Sequence, residues 1–302
     1  MERIRALAIP PAWEAVWITP YDNGHLQAVG TDAAGRRQYL YHPQWRTRRD
    51  AEKFDRVLAF GEALGNARAQ VIADLGRDRM PLERACAVAV RLLDLGYFRI
   101  GNDVYADKHG SFGLTTLQRR HVRRHQDRLV FTFTGKSGVQ HRIEIDDAAV
   151  TEAIEVMRRR RADDPTLLAY QERRRWRAML PELVNGYVRE TTGVDATAKD
   201  FRTWHATVLA AAALAETAES GGSAASRRRA VRAAMAEVAE FLGNTPTLAR
   251  TSYVDPRVVS AYEEGRTIAA TTRRRFDTAD ERQAALERAT LRLIRQEDSQ
   301  EG

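Results

Sequence analysis

The period of the hydrophobic pattern changes near residue 50, and that change constrains the fold more than any other feature of the chain. Before it, short runs alternate between turns. Val16–Thr19, Leu26–Gly30 and Arg36–Tyr41 read as strands, separated by Asn23–Gly24 and by Asp32–Ala33–Ala34–Gly35. Asn–Gly is the signature of a type I′ hairpin turn, whose two central residues both take positive φ. Along the third strand, period two puts Tyr39 and Tyr41 on one face and Gln38 and Leu40 on the other. His42–Pro43 and the arginines Arg46, Arg48 and Arg49 then mark a change of regime. From Asp50 apolar residues recur at helical spacing: Phe54, Val57, Leu58, Phe60 and Leu64, then Val71, Ile72 and Leu75. The expected division is a β domain over residues 1–50 and a mainly helical domain over residues 51–302; 302 residues suffice for both.

Pro81, as the first helical residue, opens a helix that runs to Leu95 and is stopped by Gly96. Cys86 shares its apolar face with Leu82, Ala89, Val90 and Leu93, which makes it a core thiol rather than a nucleophile. Short β segments follow at Tyr97–Ile100, Val104–Ala106, Phe112–Leu117, Leu129–Thr134 and Val139–Ile145. The last two flank Gly135–Lys136–Ser137–Gly138. This is not a phosphate-binding loop, because Val130 stands where that motif needs its first glycine and a strand follows instead of a helix. It reads as a hairpin tip with an exposed lysine. From Asp147 the pattern is helical, with basic clusters Arg158–Arg161 and Arg173–Arg175 on helices, an Ala-rich helix over Ala206–Glu216, a loop at Ser220–Ser226 and an amphipathic helix over Arg227–Leu242. Gly243 and Pro246 open a short helical stretch that brings Tyr253 near its end, and Pro256 limits it. Another helix follows Pro256, and Thr278 with Glu281 form a capping-box pattern for a last helix ending near Glu297. The fold class is α+β: a small antiparallel sheet, then a mostly helical domain with a small sheet of its own.

The net charge of +7 favours nucleic acid, an anionic membrane face or acidic proteins as partners. Arginine dominates the cations, and its planar fork suits phosphate, although a high-GC coding bias produces the same composition. A single cysteine excludes an internal disulfide and fits a reducing compartment. No stretch approaches the ~18 apolar residues of a membrane span, so the expectation is a soluble, cytoplasmic protein. The histidines show no metal-binding spacing.

Arg99, Lys136, Arg202 and Tyr253 are each ordinary when taken singly. With their flanks and in order they form a pattern: Phe98–Arg99–Ile100–Gly101, Phe112–Gly113–Leu114–Thr115–Thr116–Leu117, Thr134–Gly135–Lys136, Lys199–Asp200–Phe201–Arg202–Thr203, and Gly243–Asn244–Thr245–Pro246 through Ser252–Tyr253. Gly35–Arg36–Arg37–Gln38–Tyr39–Leu40–Tyr41 adds a sixth stretch. On these residues the chain resembles the type IB DNA topoisomerases, closely the compact poxvirus and bacterial kind, over nearly its whole length. The resemblance implies a catalytic domain of the tyrosine recombinase and type IB topoisomerase fold. It implies that Tyr253 attacks a DNA phosphodiester and becomes joined to the 3′ phosphate, that Arg99, Arg202 and Asn244 stabilise the transition state, and that Lys136 is the general acid for the leaving 5′ oxygen. Many family members carry histidine where this chain has Asn244. An amide still donates a hydrogen bond to phosphate but carries neither proton nor charge. Gln38, Tyr39, Tyr41 and Tyr105 match regions that contact DNA. The resemblance further implies relaxation of positive and negative supercoils with no metal or nucleotide cofactor, double-stranded DNA as partner, a monomer that clamps the duplex, and a nucleoid-associated location.

Two other readings stay open on the residues alone. A tyrosine recombinase shares the catalytic logic, but generally has histidine three residues before the second arginine, where this chain has Lys199, and usually a helical N-terminal domain. A non-catalytic basic DNA-binding protein explains the charge but not the ordered Arg–Lys–Arg–Asn–Tyr set.

Overall fold

The computed structural model describes residues 2–101, 110–217 and 223–298. Two compact units divide the chain, Met1–Asp55 and Arg56–Gly302.

The first unit begins with a short helix α1 (Glu2–Ala6), which the β reading of this region omits. An antiparallel sheet follows in the order β1 (Glu14–Ile18), β2 (Leu26–Thr31), β3 (Arg37–Tyr41). The β1–β2 connection is not the type I′ turn expected of Asn23–Gly24, since neither residue has positive φ. Instead, buried Gln27 donates its amide to the carbonyls of Asp22 (3.0 Å) and Gly24 (2.7 Å), holding a longer loop from inside. The side chain of a near neighbour has overridden the dipeptide's turn preference. The second turn is as expected: Gly35 has φ +73°, and Asp32 accepts from the Ala34 and Arg36 amides. On β3 the alternation also holds, with Tyr39 and Tyr41 exposed and stacked at 6.3 Å and Gln38 and Leu40 half-buried on the other face.

Helix α2 (Pro43–Leu75) starts seven residues before the expected onset at Asp50. Pro43 sits at its first position, where a missing N–H costs nothing, and Arg46 N donates to His42 O at 2.9 Å. Its apolar stripe is buried except for Leu58, which is half-buried, and Ile72, which is exposed. Helix α3 (Leu82–Gly96) has Pro81 as N-cap, not as its first residue, and Gly96 as its last residue, not its stop. The stop is Tyr97, in the left-handed region at φ +55°. Gly96 serves a different need: a Cβ there would lie 2.3 Å from the Phe98 ring.

Tyr97–Ile100 and Phe112–Leu117 do not form strands. The Arg99 and Ile100 carbonyls instead accept from Leu114 N and Thr115 N, both at 2.8 Å, so the first segment is braced by a 3₁₀ turn at Leu114–Thr116. Val104–Ala106 lies outside the described residues. The second sheet has the order β4 (Val122–His125), β5 (Arg128–Thr134), β6 (Gln140–Ile145). Leu129, Phe131 and Phe133 of β5 point into the core, where Phe98 meets Phe131 edge-on at 5.1 Å.

The all-helical expectation after Asp147 fails at one place. After α4 (Ala148–Arg159), β7 (Ala169–Glu172) and β8 (Arg175–Ala178) form a hairpin. Its two-residue turn, Arg173–Arg174, has φ values of +46° and +66°, so the one I′-like turn that sequence preference would not select is built from arginines. Arg173–Arg175 is therefore a hairpin tip. In the other basic cluster Arg160 is buried, donating to the Met157 and Leu167 carbonyls at 2.8 Å each. It is structural rather than surface charge.

Six helices follow: α5 (Pro181–Thr192), α6 (Ala198–Glu216), α7 (Ala224–Leu242), α8 (Pro246–Ser252), α9 (Pro256–Glu263) and α10 (Ala269–Thr272); then α11 (Ala279–Asp298) closes the described chain. Of the expected Ser220–Ser226 loop, Ser220–Gly222 lies outside the described residues, Ser223 caps α7, and Ala224–Ser226 is already helical. Thr278 caps α11 through Glu281 N at 3.1 Å, while the Glu281 carboxylate reaches back to Asp277 N. Among the described residues no helix is long and apolar enough to cross a membrane. Trp204, Phe60, Phe98, Phe131 and Phe201 anchor the core of the second unit.

Candidate active site

Four elements of the second unit converge on Tyr253. Helix α8 is capped at its start by Thr245, whose hydroxyl accepts from Leu248 N, and carries Pro246 at its first position. It ends in Tyr253, whose non-helical backbone turns the chain into α9. Thr207 on α6 fixes this turn from behind, donating to Tyr253 O at 3.3 Å and accepting from Asp255 N at 3.1 Å. The Tyr253 side chain is held in a nearly buried position.

Arg99 reaches it from the braced segment after α3. Because Phe98 is locked in the core, the next residue must face the opposite way. Arg99 Nη1 donates to the Tyr253 hydroxyl at 3.5 Å, the long limit of a hydrogen bond, and Nη2 to Asn244 Oδ1 at 2.8 Å. Asn244 follows Gly243, which ends α7 in the left-handed region at φ +60°. Arg202 comes from the first turns of α6, whose start is fixed by Thr197 N donating to Asp200 Oδ2 at 2.8 Å. Its Nη1 and Nη2 donate to the carbonyls of Tyr97 (2.6 Å) and Leu242 (2.7 Å), and its guanidinium carbon lies 5.8 Å from the centre of the Tyr253 ring. The left-handed Tyr97 is thus what presents a carbonyl to Arg202.

Burial disfavours a charged Tyr253, but Arg99, Arg202 and Lys199 outweigh it, and the phenol is held below its ordinary value near 10. Arg202 is lowered to about 10 by burial and by Arg99, so it remains a cation at neutral pH. Two buried donors, Asn244 Nδ2 and Arg202 Nε, have no hydrogen-bond partner among the described residues. Both belong to side chains that Arg99 or the Tyr253 ring contacts, so either can donate to an acceptor placed at the hydroxyl. The arrangement suits an oxyanion against which a phenol oxygen is positioned.

The structure therefore brings Arg99, Arg202, Asn244 and Tyr253 together. Lys136 is exposed at the β5–β6 tip and makes no hydrogen bond or ion pair among the described residues. Tyr39 and Tyr41 lie on the open face of the first sheet, while Gln38 is turned to the other face and donates to Asp32 Oδ2 at 2.9 Å. Tyr105 lies outside the described residues. Sequence reasoning did not assign Lys199, whose Nζ lies 6.0 Å from the Tyr253 ring centre, although its spacing of one helical turn from Arg202 carries the signal. Nothing in the pattern points to Thr207. On the first sheet Trp17 is another exposed aromatic, in register with Val29 and through it with Tyr39.

Residues 42–278 match the catalytic core of eukaryotic DNA topoisomerase I, and residues 1–32 match the N-terminal domain of bacterial DNA topoisomerase IB. The chain belongs to the type IB DNA topoisomerase family. The DNA topoisomerase 1B of Acanthamoeba polyphaga mimivirus is 27% identical over 270 residues, covering 87% of this chain and 80% of that protein. The DNA topoisomerase 1B of vaccinia virus strain Copenhagen is 25% identical over 113 residues, 37% of this chain and 36% of that protein.

Proposed function

We propose that the chain relaxes supercoiled DNA with Tyr253 as its nucleophile. The observation that carries this reading is the convergence of Arg99, Arg202 and Asn244 on a hydroxyl whose ionisation the surrounding cations favour. Tyr253 loses its proton to solvent, and its oxygen attacks phosphorus. The bond to the 5′ oxygen breaks and a 3′-phosphotyrosine forms. Arg99, Arg202 and the Asn244 amide receive the charge that grows on the non-bridging oxygens. Lys136 gives its proton to the leaving 5′ oxygen. One phosphate ester replaces another, so religation requires no ATP, and the broken strand swivels while the link lasts.

In this reading the first unit is the DNA-clamp domain, with Tyr39, Tyr41 and Trp17 facing the duplex. Gln38 reads a base edge only if it releases Asp32. Tyr105 is assigned to the DNA contacts by resemblance. The protein acts as a monomer on the nucleoid in the cytoplasm. Phosphate contacts dominate binding, which makes it strongly salt-dependent.

The test is a denaturing gel after mixing with duplex DNA. A covalent protein–DNA adduct is expected from the native chain and none from Tyr253→Phe. In parallel, a supercoiled plasmid is expected to relax in EDTA without ATP. An adduct that survives Tyr253→Phe would remove Tyr253 from the role, and failure to relax either sign of supercoil would defeat the activity.

A further inference from the structure

We infer that His141 is a positioning residue, whose ring locks the hairpin carrying Lys136 against the Gly243–Asn244 turn. The inference rests on the roles proposed above for Lys136 and Asn244.

His141 lies opposite Phe133 in the β5–β6 register and stacks on it, with ring centroids 5.1 Å apart and planes 24° apart. A Cβ placed on Gly135 would lie 2.5 Å from Cδ2 and Nε2 of His141, so the ring sits directly on the Gly135 backbone. A Cβ placed on Gly243 would lie 3.4 Å from the ring's Cε1. One ring therefore sits on the residue before Lys136 and faces the residue before Asn244, with room between them for no more than a methyl group. The hairpin is closed beneath it by Gly135 N donating to Val139 O at 2.7 Å.

Lys136 has no side-chain partner among the described residues, so its position must come from the base of its hairpin. His141, with Val139 beside it, is what this hairpin presents to the Gly243 turn. Burial, Arg202 and Arg99 all lower the His141 pKa, which keeps the ring neutral beside two cations. It packs there rather than adding charge. Misplacing a catalytic group by about 1 Å costs about 100-fold in rate.

A leaving sulfur separates this role from general damage. Lys136 protonates the 5′ oxygen, and a thiolate, a far weaker base than an alkoxide, leaves without that proton. The experiment measures single-turnover cleavage by the full-length chain of duplex DNA with an ordinary or a 5′-bridging phosphorothiolate linkage at the cleavage site. His141→Ala is expected to slow ordinary cleavage about 100-fold. On the sulfur linkage it should return close to the native rate, as is expected of Lys136→Ala. His141→Phe keeps a planar ring and is expected to stay near native on both. Gly135→Ala displaces the ring without removing it and should reproduce His141→Ala; it carries the same two readouts if His141→Ala does not fold. Native rates for His141→Ala on the ordinary linkage, or a defect undiminished on sulfur, overturn the inference. A native chain that forms no adduct with DNA overturns the underlying reading instead.

Discussion

Arg99 donates to Asn244 Oδ1 at 2.8 Å, and this contact decides which end of the Asn244 amide faces the site. A guanidinium can only donate, so the oxygen is engaged and Nδ2 is left to donate elsewhere. Asn244→Ala is expected to slow single-turnover cleavage by ~10²–10³, the usual cost of one oxyanion donor. Asn244→Asp should be slower still, because it offers Arg99 an acceptor but puts a negative charge where the phosphate oxygens develop theirs. Equal rates for the native chain and Asn244→Ala would remove Asn244 from the transition state.

The same arginine is expected to shape the pH dependence of cleavage. Burial raises the Tyr253 pKa, and Arg99, Arg202 and Lys199 more than reverse it. Cleavage is expected to rise with pH and level off below the ordinary tyrosine value. Removing a cation destabilises the phenolate, so Arg99→Ala should move the inflection to higher pH as well as lowering the plateau. A pH–rate profile on a substrate that cannot religate checks the sign.

Arg202 is expected to tolerate no substitution, including lysine. Its fork spans the carbonyls of Tyr97 and Leu242, and a single ammonium cannot hold both while facing the phosphate. Arg202→Lys should lose at least ~10²-fold in cleavage. It should also lower the melting temperature, because an orphaned buried acceptor costs about 1–3 kcal/mol.

Buried Asp94 ties α2 and α6 to α3. It accepts from Arg68 at 2.7 and 2.9 Å and pairs with His205 Nε2 at 3.0 Å. Burial raises its pKa, but Arg68 and His205 dominate and hold the carboxyl well below the usual range. A depressed carboxylate stabilises the fold above its unfolded pKa and loses that contribution as pH falls. Asp94→Asn is therefore expected to cost about 3–5 kcal/mol in urea unfolding at pH 7, as breaking a buried pair does. The difference from the native chain should shrink in acid. Because His205 also packs edge-on against Tyr97 at 4.8 Å, a smaller loss of cleavage should accompany it.

Cys86 is expected to resist alkylation in the native protein at pH 8 and to react fully once unfolded. Its side chain is buried, and burial pushes the thiol up to about 12. Alkylation of the folded protein, followed by mass spectrometry, checks this; rapid labelling would contradict the core placement.

The patterns that proved most legible were those set by near neighbours. The alternation of Tyr39 and Tyr41 against Gln38 and Leu40 follows from the pleat; Cys86 is buried as expected, but α3 is buried at every position from Arg84 to Val90 while Leu82 is half-buried, so a single apolar face does not describe it. Turns and boundaries were less legible, because their outcome rests on particular side-chain hydrogen bonds and packing that residue preferences do not encode. Gln27 reshapes the Asn23–Gly24 loop, and Tyr97 takes the left-handed position that Gly96 was expected to hold. A strand reading failed at Tyr97–Ile100, whose carbonyls bond to a 3₁₀ turn instead of a ladder.

For the site, the order Arg99, Lys136, Arg202, Asn244 and Tyr253 was readable as a resemblance in the sequence alone, and membership of the type IB family follows from the match over residues 42–278. What the chain order does not contain is distance. Arg99 and Tyr253 are 154 positions apart, and they are closed to 3.5 Å by Phe98 in the core, Thr207 behind the Tyr253 turn and the packing of α6 against its neighbours. Contacts of that kind are many-body: each depends on the shape left by the others. Local spacing therefore determined the alternation along β3 and the place of Lys199 one helical turn from Arg202, and tertiary packing alone decided that Asn244 gives its oxygen to Arg99 and that His141 stands beside the site.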